Sequence, residues 1–282
     1  MLEIENVSKK IKKHQILNHI SFSFQNEVYG LLGENGAGKT TLLRCIANIM
    51  DVSGGKVLWD GIPIHKYKNY QTKIGYLPQK FGVLPDLTVF EFMEFFGTLK
   101  KIEKKQMKEY IMQCLTDVGL AEYAHRKTST LSGGMIRRLG IAQAILGDTE
   151  LLLFDEATVG LDPEERIRFK NIISHIKKDK TILISTHVID EIEQICSQIL
   201  VMHKGELLGS FTVEQLKRFA ENKVYEVRAG SIEQASVYCC VKQFTKNDIT
   251  MERVLTYAPL PQQAVMPTLE EGYLCCIELL KK

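Results

Sequence analysis

"VYGLLGENGAGKTTLLRCI", residues 28–46, runs without a break from an apolar segment through a glycine-rich loop into a second apolar pattern. Val28–Leu32 reads as a short buried strand, and Leu42, Leu43, Ile46 and Ile49 recur at helical spacing. Between them Gly33, Glu34, Asn35, Gly36, Ala37, Gly38, Lys39 and Thr40 satisfy GxxxxGK[ST], with Thr41 following. Such a loop, closing a strand and opening a helix, lets backbone N–H groups wrap a phosphate chain. Lys39 can reach the β- and γ-phosphates of a nucleotide, and the Thr40 hydroxyl can ligate Mg²⁺.

A second strand with chemistry at its end is "LLLFDEATVGLD", residues 151–162. Its apolar run ends in Asp155, which can hold Mg²⁺ through water, and Glu156 follows, placed to polarise an attacking water. His187 comes directly after "TILIS" (Thr181–Ser185), at the sheet edge where α/β ligand sites form. Gln79, after "IGYLP", can touch the metal or the water through its amide. Singly, His187 reads more often as structural and Gln79 as an ordinary loop residue. Asp162 has a sufficient local explanation in "LDPEE": an N-cap aspartate, a proline at N1 and glutamates facing the helix dipole.

The rest of the chain frames these elements. "HISFSF" (His19–Phe24) alternates like a half-buried strand, and Asp60-Gly61 marks a hairpin. From Pro85 to Leu146 the pattern turns helical, with a capping box at Thr88 and Glu91. Strands return at Leu151–Phe154 and Thr181–Ser185, each followed by a helix, from Pro163 and near Val188. Strand–helix alternation predicts a parallel sheet with covered faces and a helical insertion. Beyond about Lys217 the motifs stop; "VYEVRA" and a helix opening at Thr268 and Glu271 predict a small α+β appendage.

Composition narrows the function classes. Thirty-six basic against 34 acidic residues leave a net charge of +2, too balanced for nucleic-acid binding by field alone. The lysine runs at residues 8–13 and 100–108 read as solvated faces. Seven scattered cysteines form no CxxC pair and suggest reduced thiols rather than zinc. The start has no apolar signal core, and no apolar run approaches the length of a membrane helix, so any membrane span is expected on a partner.

"TSTLSGGMIRRLGIAQAIL", residues 128–146, sets two more glycines before a helix, a second phosphate-facing start that one chain does not need. Phosphate loop, Gln79, "LSGGM", "LLLFDE", "VGLD" and His187, in that order, resemble the nucleotide-binding subunit of ABC transporters over residues 1–217. "YLPQKFGVLPDLTVFEF" and "LSGGMIRRLGIAQAIL" look like the bacterial exporter-type ATPases whose membrane subunits are separate chains, and "PTLEEGYL" is similar to the end of their accessory domain.

The resemblance implies an α/β P-loop NTPase fold with N-terminal antiparallel strands, an ABC-type helical subdomain at about 85–146, and an accessory domain at 218–282. It implies ATP as substrate with Mg²⁺, and a head-to-tail pair, of this chain or with a second ATPase, in which Ser132, Gly133 and Gly134 face the partner's γ-phosphate. It further implies export powered through a separate transmembrane permease at the cytoplasmic face of the membrane. Phe81, Val83 and Leu84 are candidates for the permease contact, and no nucleic-acid partner is expected. A soluble ABC ATPase acting on a ribosomal or nucleic-acid partner is the alternative, disfavoured by the single cassette and the lack of a long heptad run. Three positions depart from the family pattern: Met135 for glutamine, Ala157 for proline, and Ile11 where an aromatic residue would stack on adenine.

Overall fold

Two long antiparallel strands, β1 (Leu2–Ile11) and β2 (His14–Ser23), open the chain in the computed structural model, which describes residues 1–232, 237–257 and 259–281. Val7 faces Ile20 across them, and Leu2, Ile4, Leu17, Ile20 and Phe24 are buried on the inner side. Next comes β3 (Val28–Leu32), buried at every position as its unbroken apolar run requires. It delivers the chain through the phosphate loop into α1 (Lys39–Ile46).

Helix α1 is shorter than its apolar periodicity suggested, and Ile49 is 62% exposed. Asn48 takes a left-handed conformation at φ 56°, so Asn48 N–H returns to Cys45 O and Ile49 N–H to Arg44 O. That pair of reversed bonds closes the helix before Ile49 can join its face. The expected hairpin forms between β4 (Gly54–Trp59) and β5 (Ile62–Pro63), with Asp60 and Gly61 both at positive φ.

After the short α2 (Tyr70–Lys73) and β6 (Ile74–Leu77) the helical insertion begins. It holds α3 (Val89–Leu99), α4 (Lys104–Asp117) and α5 (Gly133–Ile145). The capping box at the start of α3 is complete: Glu91 N–H reaches Thr88 Oγ1, and Thr88 N–H donates to the Glu91 carboxylate. The apolar residues of α3 divide: Phe92 is buried, whereas Phe95 and Leu99 are exposed. Phe81 packs edge-to-face on Phe92 and lies against Gly140 of α5, while Leu84 is exposed.

The chain then returns through β7 (Leu151–Asp155), α6 (Pro163–Ile176), β8 (Thr181–Thr186), α7 (Ile189–Ile195), β9 (Gln198–His203) and β10 (Glu206–Phe211). The larger sheet has the order β10-β9-β3-β8-β7-β6, and its β9–β3, β3–β8, β8–β7 and β7–β6 pairs are parallel. The smaller sheet, β2-β1-β4-β5, is antiparallel. One core cluster joins the two, with Ile4, Ile20 and Trp59 from one and Leu31, Leu153 and Leu183 from the other around Leu42 and Leu43 of α1.

A second compact unit runs from Ser210 to Lys282, after a first from Met1 to Gly209. It therefore starts before the 217/218 boundary read from the end of the motifs. The reason is α8 (Val213–Arg218), whose Leu216 packs against Gly272 of α9 (Leu269–Leu280). Strands β11 (Val224–Arg228), β12 (Val237–Lys246) and β13 (Ile249–Thr256) form an antiparallel sheet of order β11-β13-β12. Inside this unit Glu271 is buried, accepting from Arg253 Nε at 2.5 Å and Nη2 at 2.9 Å, and from Thr268 N–H at 2.7 Å.

Candidate functional site

The C-terminal ends of β3, β7 and β8 converge, and the loops that leave them carry most of the residues singled out above. A cavity of about 350 Å³ is lined by Asn35, Gly36, Gly38, Lys39, Thr40, Thr41, Gln79, Glu156 and Ile16. Two of its glycines have conformational reasons: Gly36 and Gly38 sit at φ 85° and 103°, and a Cβ on Gly38 would fall 2.8 Å from Leu17 Cδ2. Gly33 and Ala37 form the buried floor of the same loop, and a Cβ on Gly33 would fall 2.5 Å from Met202 O. The buried Lys39 ammonium donates to Gly33 O at 2.6 Å and Glu34 O at 3.0 Å, curling the loop around itself. Burial pushes Lys39 below its ordinary value, against the opposing pull of Glu156 and Asp155.

Thr40, in the first turn of α1, donates from Oγ1 to Asp155 Oδ1 at 3.0 Å. Ser185, fully buried at the end of β8, donates to the same oxygen at 2.7 Å. Asp155 Oδ2 is buried and accepts no hydrogen bond among the described residues. Burial pushes the nearby Tyr76 hydroxyl above its ordinary value, with Asp155 adding to the shift and Arg44 opposing it. An orphaned carboxylate oxygen beside a hydroxyl with free lone pairs suits a hard cation. No cluster of three His, Cys, Asp or Glu side chains that could hold a metal occurs among the described residues.

Glu156 gathers the other candidates. Gln79 Nε2 donates to its Oε2 at 2.7 Å, and His187 Nδ1 lies 3.5 Å from its Oε1. The backbone here is strained: Glu156 has φ 48°, a left-handed conformation costing about 1 kcal/mol for a residue with a Cβ. Glu156 N–H donates to both the carbonyl and the Oγ of Ser185, each at 3.0 Å, and its own carbonyl accepts from Arg137 Nη2 at 2.6 Å. Backbone strain so firmly held is characteristic of functional positions.

Other expected residues lie outside this cavity. Ser132 caps α5, accepting from Met135 N–H at 3.2 Å, with Gly133 and Gly134 opening the helix. No atom lies within 4 Å of a Cβ built on Gly133, so this start is open to a ligand or partner. Asp162 accepts from Glu165 N–H at 2.8 Å, with Pro163 at the first helical position, so its capping role is realised. Ile11 stands at the exposed end of β1, opposite His14, and the apolar wall of the cavity is Ile16 instead. Ile16, which lines the cavity, and Ser185 and Arg137, which hydrogen-bond Asp155 and Glu156, were not singled out by sequence reasoning. The one available signal was a hydroxyl closing an otherwise apolar strand, at Ser185.

Comparison with known proteins agrees with this geometry. The family model described as ABC transporter matches residues 17–159. The chain belongs to the ABC transporter family. The linearmycin resistance ATP-binding protein LnrL of Bacillus subtilis (strain 168) is 32% identical over 258 residues, 90% of this chain and 83% of LnrL. The methionine import ATP-binding protein MetN 1 of Staphylococcus epidermidis is 34% identical over 228 residues, 77% of this chain and 67% of MetN 1. The solved structure of CbiO1 from Clostridium perfringens, part of the ABC transporter complex CbiONQ, superposes with a TM-score of 0.68 at 25% identity, covering 78% of this chain and 90% of CbiO1. This ABC protein is accordingly an ATP-binding ATPase subunit of a transporter, with the P-loop NTPase fold. No helix among its described residues is long and apolar enough to cross a membrane.

Proposed function

We propose that this ABC ATPase powers export through a separate transmembrane permease, bound peripherally at the cytoplasmic face of the membrane. The observation that carries the ATPase mechanism is the convergence of Gln79 and His187 on Glu156, beside the Thr40–Asp155 pair. In this reading the loop N–H groups and Lys39 bind the phosphates, and Lys39 exchanges its loop carbonyls for them. Thr40 and Asp155, with Gln79, would hold Mg²⁺. When bound, the ion neutralises charge on the β- and γ-phosphates. Glu156 orients and polarises the water that attacks the γ-phosphate, while Gln79 and His187 fix its carboxylate. Adenine packs on apolar side chains of the first hairpin, Ile16 at the cavity and Ile11 beyond it.

The open start of α5 supports the paired form, in which Ser132, Gly133 and Gly134 complete the site of a second ATPase subunit. Of the candidates for the permease contact Leu84 is exposed, Phe81 and Val83 are half-buried, and Phe95 and Leu99 of α3 are further exposed apolar side chains of the helical subdomain. Export rests on the exporter-like signature and accessory-domain ending, together with similarity to a resistance protein.

Glu156→Gln should bind ATP, hydrolyse it very slowly and accumulate dimers on size exclusion in MgATP. Wild-type turnover in that variant would remove Glu156 as the water-activating residue. Lys39→Ala should lose most nucleotide binding, and full retention would overturn the phosphate-loop assignment. For direction, inverted vesicles carrying the chain with its permease should take up cargo on ATP addition; uptake only by right-side-out vesicles would reverse the reading.

A further inference from the structure

We infer that Arg137 is a positioning residue of the ATPase, fixing the Gln79 loop and the Glu156 backbone relative to each other from the second turn of α5. This rests on the roles proposed for Gln79 and Glu156. The guanidinium donates through Nε to Ala157 O at 2.7 Å. Through Nη1 it donates to Pro78 O at 3.2 Å and Gln79 O at 3.1 Å. Through Nη2 it donates to Asp155 O at 3.3 Å and Glu156 O at 2.6 Å. All five acceptors are main-chain carbonyls, and they belong to two segments far apart in sequence. One segment follows β6 and carries Gln79; the other ends β7 and carries Asp155 and Glu156.

A guanidinium is planar, with donors in a fixed fork, so carbonyls that bind it inherit its geometry. The 2.7 Å bond between Gln79 and Glu156 spans the same two segments, and Arg137 sets the separation across which it forms. Glu156 also needs the help, because its left-handed backbone is gripped by Ser185 on the N–H side and by Arg137 on the carbonyl side. A purely structural role is a poor account of this residue. Among the described residues no carboxylate forms an ion pair with Arg137, and burial lowers its pKa while Asp155 and Glu156 oppose that. A cation desolvated against carbonyls alone is an expensive filler where a neutral side chain would serve.

The placement on α5 sharpens the point. Gly133 and Arg137 are one turn apart on one face, as are Gly134 and Arg138 on the next. Arg138 Nε lies 3.3 Å from Glu165 Oε2 of α6, and Gly134 lies against the same glutamate. The start of α5 is thus tied on one side to α6 and on the other to both catalytic segments.

The test uses the full chain with Arg137→Gln and Arg137→Lys, each alone and combined with Glu156→Gln. Alone, Arg137→Gln should lower kcat by about 10- to 100-fold, with KM for ATP, equilibrium ATP binding and Tm nearly unchanged. Arg137→Lys should recover little, because a single ammonium cannot span both segments. Added to Glu156→Gln, Arg137→Gln should lower the residual single-turnover rate less than about twofold, since the group to be positioned is gone. An equal fold-loss in both backgrounds, a parallel loss of Tm and ATP binding, or unchanged kcat would overturn the inference. Wild-type turnover in Glu156→Gln alone would instead overturn the reading of the site.

Discussion

Replacing Lys100 with Met tests how α5 is anchored at the end opposite its glycines. Contrary to the solvated face read for its lysine run, the Lys100 ammonium is enclosed where α5 stops, donating to Ala144 O at 3.1 Å and Leu146 O at 2.8 Å. A cation suits the carbonyl end of a helix, yet desolvation dominates here. Burial pushes Lys100 from its ordinary 10.5 down to about 8, with Lys180 adding to the shift and Cys114 opposing it. The unfolded chain therefore holds this proton more tightly than the folded chain, and the folded state gains as pH rises from about 8 towards about 10.5. With those two values the gain between about pH 7 and about pH 10 is about 2.5 kcal/mol. Lys100→Met removes the titrating group, and groups common to both proteins cancel in the comparison. Wild type should gain that amount over the variant between the two pH values. Urea unfolding followed by the fluorescence of Trp59, the single tryptophan, reads the first unit directly. A wild-type-minus-variant difference that stays flat, or moves the other way, refutes the buried-cation account.

Gly75→Ala should destabilise the same unit by about 3 kcal/mol: its Cβ would fall 1.9 Å from Ala144 O, forcing α5 away from β6. A urea midpoint within error of wild type would show that α5 is not seated so closely. Arg253→Ala should cost the second unit about 3–5 kcal/mol near neutral pH, because it strands the buried Glu271 carboxylate. Burial raises the Glu271 carboxyl, but bonds from Arg253 and Thr268 more than compensate, leaving it below its ordinary value. That stabilisation is present above the unfolded carboxyl value of about 4.3 and fades as pH falls through the folded one, so the penalty should shrink in acid. A penalty independent of pH, measured by hydrogen exchange of β13 and α9, would show that the charge pair is not its source.

Features that one segment determines by itself were legible in the sequence. The unbroken apolar runs gave β3, β7 and β8 their buried central places, and Thr88–Glu91, Asp162–Pro163 and Thr268–Glu271 announced their helices by local side-chain chemistry. The motif residues Lys39, Thr40, Gln79, Asp155, Glu156 and His187 could be singled out from the sequence, and the fold brings them close to one another. What stayed hidden depends on main-chain atoms or distant neighbours. Arg137 binds only carbonyls, which every residue type supplies, so no sequence pattern marks its partners. Ile16 displaces Ile11 at the cavity because strand length and the turn at Lys12 decide which apolar residue comes near the loop. Ile49 followed the helical period yet lies beyond the helix, because Asn48 reverses the chain one residue earlier.

The left-handed backbone at Glu156 sets stability against turnover at a single position. Glycine is at home at that φ, and asparagine tolerates it better than glutamate does. A protein improved for heat resistance alone would therefore be drawn towards those replacements. Under the role proposed for Glu156 it would arrive at a sturdier subunit that still closes on ATP and seldom lets go, a brake on its transporter rather than an engine.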